Sequence, residues 1–307
     1  MSMETLAACG RLREGIRSRI MITGAALAGL LVVTSLTARA DIVNLGRSDS
    51  YGVSADLTLV VPITRISVDA DIAPFPVASG TAPAPYSITT NLASLNLAGG
   101  VDPGATVVTF STAALEERAM SDVDGGPGSR TTSASSTINN LDLDLGILPT
   151  AFPGIEITAV TLNSSSTVMG DYGSLTAAGL LTVENLQIKV YGTLIFSITG
   201  TVLPNTMINL GTALVGASLI LNEQILSGDG ISSLALTVNA VNLRLTNTAF
   251  VGLNGPVSGQ VIVEHSFAEQ TAVAQGVQAV PESSTVVMAG VVGLFGLGYT
   301  WRRRRAA

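Results

Sequence analysis

The chain has 307 residues, 47% of them hydrophobic and only 12% charged, with a mean hydropathy of +0.51 and a formal net charge of -7. That is too apolar for a disordered segment, and one His and one Cys cannot assemble a zinc site built from those ligands. The charge is also divided: nine of the 15 basic residues lie before Asp41 or in the final run of arginines, leaving residues 41–281 acidic and without the basic stripe that nucleic-acid binding requires.

Residues 1–40 read as a secretory signal. A basic segment ends at Arg19, an apolar run spans Ile20 to Leu36, and Ala38-Arg39-Ala40 precede Asp41. Cations hold the start of the chain in the cytoplasm, the apolar run inserts as a short helix, and small residues fit the peptidase cleft. Cleavage is expected between Ala40 and Asp41, with Ala38, Ala40 and Asp41 as the residues signal peptidase reads. The competing reading is a retained membrane helix, although this run covers only about 25 Å of a core of about 30 Å. Cys9 lies in the removed part, so the mature chain would have no thiol and no disulfide.

From Asp41 to residue 279 the pattern is that of one extracellular all-β domain. Val53, Ala55, Leu57, Leu59, Val61 and Ile63 recur at every second position, which places alternate side chains on opposite faces of a sheet. The period returns at Ile66 to Ile72 and at Leu141, Leu143, Leu145 and Ile147. Later copies lie near 155–162, 181–190, 194–202, 215–221, 234–245 and 257–263, which makes about nine or ten strands. Gly, Pro, Asn and Ser punctuate them at hairpin spacing, the signature of an antiparallel β-sandwich-like body. Within one strand, Leu234, Leu236, Val238 and Ala240 hold one phase and Val241, Leu243 and Leu245 the other, so a β-bulge is expected near Ala240. Ala113 to Met120 reads as the one helical fragment. Residues 73–87, with Pro74, Pro76, Pro83 and Pro85, read as a loop, as do residues 121–136.

Chemistry-bearing residues are few. His265 beside Glu264 is the one candidate general base, but neighbours on a strand point to opposite faces, and no Gly-x-Ser-x-Gly elbow nominates a serine. Asp122-Val123-Asp124-Gly125-Gly126 resembles the start of a calcium loop yet fails the EF-hand template at its fifth, sixth and twelfth positions. Asp142 and Asp144 share a strand face, where a solvated face is the better reading. Asn222, Glu223, Gln224 and Asn239 are polar groups in apolar strands, suited to a cross-strand amide network. Glu223 could serve a glycosidase only with a second carboxyl, and nothing identifies one. Ten aromatics in the body, none of them Trp, offer modest faces for sugar. No metal site and no cofactor are expected.

The body also resembles the extracellular choice-anchor P proteins. The resemblance rests on Thr132 to Asn140, Ile157-Thr158-Ala159, Ser164-Ser165-Ser166, Val183-Glu184-Asn185-Leu186, Pro204-Asn205-Thr206, Leu221-Asn222-Glu223-Gln224, Val238-Asn239-Ala240 and Val261 to Ser266. It covers roughly residues 50–270 and implies secretion and anchoring, with no known activity.

Residues 280–307 combine Val280-Pro281-Glu282, an apolar run from Thr285 to Trp301, and Arg302, Arg303, Arg304 and Arg305. Burying one Arg at mid-bilayer costs about 2.5–3.5 kcal/mol, so four remain on the cytoplasmic side of a single transmembrane helix. This layout is similar to the PEP-CTERM sorting signal, with Ser283 where that family usually has a second proline. The resemblance implies an exosortase that cuts near Pro281 and Glu282 in a Gram-negative bacterium. The sequence therefore leads to an exported, non-enzymatic protein. It would pass through the inner membrane to the cell surface or extracellular matrix and act structurally or adhesively among exopolysaccharide, with signal peptidase and exosortase as partners and no nucleic acid. The competing reading is a carbohydrate-binding module or carbohydrate-active enzyme on a permanent anchor.

Overall fold

The computed structural model describes residues 41–274 apart from 62–65, 102–104, 149–153 and 254. The signal and sorting segments, including Ala38, Ala40, Val280, Pro281, Glu282 and Arg302 to Arg305, lie outside the described residues. Among the described residues no helix is long and apolar enough to cross a membrane.

Among the described residues fourteen antiparallel strands form two sheets. The first sheet contains β1 (Ile42–Val61), β2 (Ile66–Thr81), β11 (Thr206–Ile208), β12 (Ala217–Gly228), β13 (Ser233–Ala249) and β14 (Pro256–Val273), in the order β11-β12-β13-β14-β1-β2. The second contains β3 (Tyr86–Leu92), β4 (Leu95–Val101), β5 (Ala105–Thr112), β6 (Ala114–Ser121), β7 (Arg130–Leu148), β8 (Ile155–Gly170), β9 (Thr176–Val190) and β10 (Thr193–Thr201). Its path is β10-β9-β8-β7-β5-β4. The long β7 forks, pairing β5 along Asp142–Leu148 and β6 along Thr132–Asn139, and β3 continues from β6. The sheets face each other through β14 on β7 and β8, β1 on β6 and β7, and β13 on β8 and β9.

The strands are long because their apolar phase flips midway. In β14, Val257, Val261 and Val263 face the core, after which Glu264, Ser266, Ala268, Gln270 and Ala272 take over. In β7 the buried set passes from Thr132, Ala134, Ser136 and Ile138 to Leu141, Leu143 and Leu145. In four strands a left-handed residue marks the flip: Asn140 in β7, Asn185 in β9, Asn222 in β12 and Glu264 in β14. Asn tolerates that region because its short side chain bonds locally. The flip in β13 falls between Ala240 and Val241, both fully buried, and the left-handed residues beside it belong to the neighbouring strands β12 and β14. Two apolar clusters result. The larger gathers Phe110, Ile138, Leu143, Ile157, Leu186 and Leu243, and the smaller Val43, Val123, Val168, Leu234 and Val238.

Four expectations need correction. The β-bulge expected near Ala240 is not formed: β13 stays in register with β12 and β14 through Asn239 and Val241, and its register shift against β14 falls between Leu245 and Thr248. The stretch Ala113 to Met120 is no helix: from Ala114 it is the strand β6, whose Leu115, Glu117 and Ala119 point inward between β3 and β7; long-range pairing overrides the helical preference of Ala, Leu and Glu. Pro74 and Pro76 belong to β2, where the register against β1 shifts between Val53 and Ala55. As β2 is an edge strand, a missing N–H there costs no ladder bond to a second neighbour. The Ser/Thr-rich run after Arg130 is part of β7, and only residues 122–129 form the connection.

Candidate functional site

The phase flip places a polar row on the outer face of the first sheet. Strand register aligns Val77 of β2, Tyr51 of β1, His265 of β14, Asn239 of β13 and Glu223 of β12 side by side. The row is joined by hydrogen bonds. Asn239 donates from Nδ2 to Glu223 Oε2 at 2.8 Å, so its Oδ1 faces His265 Nδ1 at 2.7 Å, and that nitrogen must carry the hydrogen. His265 Nε2 lies 3.5 Å from Asp49 Oδ2, and the ring stacks on Tyr51 with centroids 4.4 Å apart and planes 9° from parallel. Burial pushes the Tyr51 hydroxyl above its usual range, opposed by the Ser54 hydroxyl.

Glu223 is the anchor of the row. It also accepts from Asn242 Nδ2 and, at 2.6 Å, from Arg244 Nη2, while Gln260 Nε2 donates to Asn242 Oδ1 at 2.8 Å. Both carboxylate oxygens are thus occupied by donors fixed to the neighbouring strand β13. The amide network anticipated around Asn222, Glu223, Gln224 and Asn239 is present: Asn222 Nδ2 donates to Val202 O, and Gln224 Nε2 to Asn222 Oδ1. The sequence signal for Glu223 and Asn239 was their polarity inside apolar strands. Asn242 and Gln260 were missed because each looked like an ordinary outward residue.

One register step from His265, Asp49 faces Phe267, and the Arg47 guanidinium carbon sits 5.6 Å from the Phe267 ring centroid. Tyr51, His265 and Phe267 therefore present a cluster of rings between Arg47, Asp49 and the amides of β13. The groups that could have completed a hydrolytic triad are separated from it. Glu264 and Ser266 are fully buried and belong to the opposite, inward phase of β14. The side chains on the outer face can hold and orient hydroxyl-rich groups, but no serine is hydrogen-bonded to His265 among the described residues.

The other carboxylate candidates lie elsewhere. Asp124 Oδ1 is taken by the Gly126 amide at 2.8 Å and by Arg130 Nη2 at 2.7 Å, and Asp122 Oδ1 by the Thr131 amide at 2.6 Å. These carboxylates close a turn and do not converge on a shared point. Asp142 and Asp144 do share the outer face of β7, with Glu156 and Lys189 aligned beside Asp144, and Lys189 Nζ pairs with Glu156 Oε1. Among the described residues no group of three or more His, Cys, Asp or Glu is placed to hold a metal ion.

No family model and no curated protein matches the chain. Among solved structures, the outer membrane protease OmpT from Escherichia coli aligns with a TM-score of 0.16 and 9% identity over 78% of this chain and 99% of that one. A likeness that distant carries no argument about fold or activity.

Proposed function

We propose that this is an exported, non-catalytic protein of the cell surface or extracellular matrix that adheres to exopolysaccharide through the outer face of its first sheet. The N-terminal signal would deliver it, and an exosortase would process its Val280-Pro281-Glu282 segment ahead of the cytoplasmic arginines. The observation that carries the binding role is the row Tyr51–His265–Asn239–Glu223, joined by ring stacking at Tyr51 and by hydrogen bonds from His265 to Glu223, and flanked by Phe267 and Arg47. Rings with polar tips provide apolar contact and hydrogen-bonding in one place, which suits the alternating faces of a sugar. The acidic body would repel a polyanion, so the reading favours neutral glycans or chains reached through bridging cations.

A glycan array combined with hydrolysis assays on the purified protein tests this. The expected result is binding without turnover, lost in Tyr51→Ala and Phe267→Ala with the circular dichroism unchanged. Failure to bind any glycan contradicts the adhesive role, and specific hydrolysis abolished by Glu223→Gln contradicts the non-catalytic one.

A further inference from the structure

Between the two apolar clusters the interior of the sandwich turns polar. Along β14 the order runs from Val263 in the larger cluster through Glu264 and Ser266 to Ala268 in the smaller; along β8 it runs from Leu162 through Ser164 and Ser166 to Val168. Glu117 enters the same layer from β6, between Leu115 and Val123, and Ser136 from β7. All six polar residues are fully buried.

Their hydrogen bonding is conspicuously incomplete. Ser136 donates to Glu117 Oε1 at 2.8 Å. Glu117 Oε2, both oxygens of Glu264 and the hydroxyls of Ser164, Ser166 and Ser266 have no partner among the described residues. Backbone amides of Ile138 and Ser164 lie near enough to ease charge on Glu264 without meeting hydrogen-bond geometry. No Lys, Arg or His of the described residues pairs with either carboxylate. Buried polar groups are otherwise almost always paired, and buried charges are compensated by an opposite charge or a metal.

The backbone is arranged to bring these carboxylates together. Glu264 is held at φ 51°, a region where Asn serves in the other flipped strands and where a longer side chain is strained. Opposite it on β1 is Gly52, where a Cβ would come within 2.3 Å of Leu115 Cδ2 and 3.3 Å of Glu117 Oε1, so glycine leaves room for the inward side chains of β6, Leu115 above all. Burial, and for Glu264 also the neighbouring Glu117, raises both carboxyls above their usual range, Glu117 to about 8.

We propose that Glu117 and Glu264 bind a divalent cation of the calcium class between the two sheets, with the hydroxyls of Ser136, Ser164, Ser166 and Ser266 completing its shell directly or through water. The donor set is oxygen only. Calcium takes six to eight such ligands in a flexible geometry, whereas magnesium demands a strict octahedron and keeps its waters, and zinc prefers nitrogen and sulfur. Because one carboxylate comes from each sheet, the ion would clamp the sandwich of a chain whose body contains no cysteine. The turn at Asp122 and Asp124 has its carboxylates engaged and has no part in the site.

The test uses the full-length chain in detergent, purified without added metal, stripped with chelator and then titrated with calcium chloride or magnesium chloride. Native mass spectrometry and elemental analysis of the wild type are expected to find a single bound calcium, and the unfolding temperature to rise with calcium far more than with magnesium. Glu264→Gln and Glu117→Gln should lose the response at least tenfold in calcium affinity, while Asp122→Asn with Asp124→Asn keeps it. A wild-type protein that binds no calcium, unfolds at the same temperature in calcium and chelator, or responds equally after Glu264→Gln overturns the proposal. The wild-type measurements decide it even if neither glutamine variant folds.

Discussion

Asn239 sits between Glu223 and His265 and holds both, giving its amide hydrogens to the carboxylate and its oxygen to the imidazole. That relationship fixes the orientation of three side chains on three adjacent strands, and its keystone is Glu223, with a side chain only 8% exposed. Replacing it with Gln turns an acceptor oxygen into a donor facing Asn239, Asn242 or Arg244. We expect Glu223→Gln to cost about 1–3 kcal/mol in urea unfolding, because a buried donor is then left unsatisfied. A loss below about 0.5 kcal/mol would mean that the network is not formed in solution.

Asp144 provides a pH dependence that a single substitution isolates. Burial first, then Asp142 and Glu156, raise its carboxyl to about 6, against the pull of Lys189. A folded value above the unfolded one means that the folded state holds the proton more tightly. Its stabilising contribution is therefore complete below about pH 4 and is lost as pH rises through about 6. Asp144→Asn removes that loss. The variant should match the wild type in urea unfolding at pH 3.5 and exceed it at pH 7.5, with the difference appearing between those values. An advantage independent of pH would show that Asp144 is not perturbed.

The strand at β6 makes a separate prediction. Met120 is 41% exposed on the outer side of that strand. A β-branched side chain suits a strand and disfavours a helix. Met120→Val should leave stability within about 0.5 kcal/mol of the wild type or raise it slightly, whereas Ala119→Val, at a fully buried position, should be destabilising by overpacking by about 1–3 kcal/mol. Clear destabilisation by Met120→Val would favour a helix over residues 114–121.

Core packing should show its usual sensitivity. Ile157 lies fully buried in the larger cluster, opposite Leu143 in β7 and Ile188 in β9. Ile157→Ala should cost about 2–5 kcal/mol through lost contact and a residual cavity, measurable by the same denaturation curves.

Much of the fold was legible wherever alternation was apolar. Val53, Ala55, Leu57 and Leu59 are buried as their spacing required, and Leu141, Leu143 and Leu145 face the core with Asp142 and Asp144 on the other side. The change of phase at Ala240 was legible too, but the β-bulge expected there was not needed, because β13 keeps one register with β12 and β14 through Asn239 and Val241. The inward faces of Thr132, Ser136, Ser164 and Ser166 were not, because counting apolar residues cannot detect a polar interior. Nor was the meeting of Glu117 with Glu264, which depends on the packing of β6 beneath β1, the neighbour of β14. Local propensity misled at β6, whose identity comes from partners in β3 and β7 and not from its own residues. The outer row was half visible: Glu223 and Asn239 stood out, while their alignment with His265 and Tyr51 required the register of four strands.

Export and processing are tested most directly by intact-mass measurement of the secreted protein. The expected species begins at Asp41 and lacks the segment carrying Arg302 to Arg305. Recovery of only the uncleaved chain, with its arginines, from the inner membrane would contradict it.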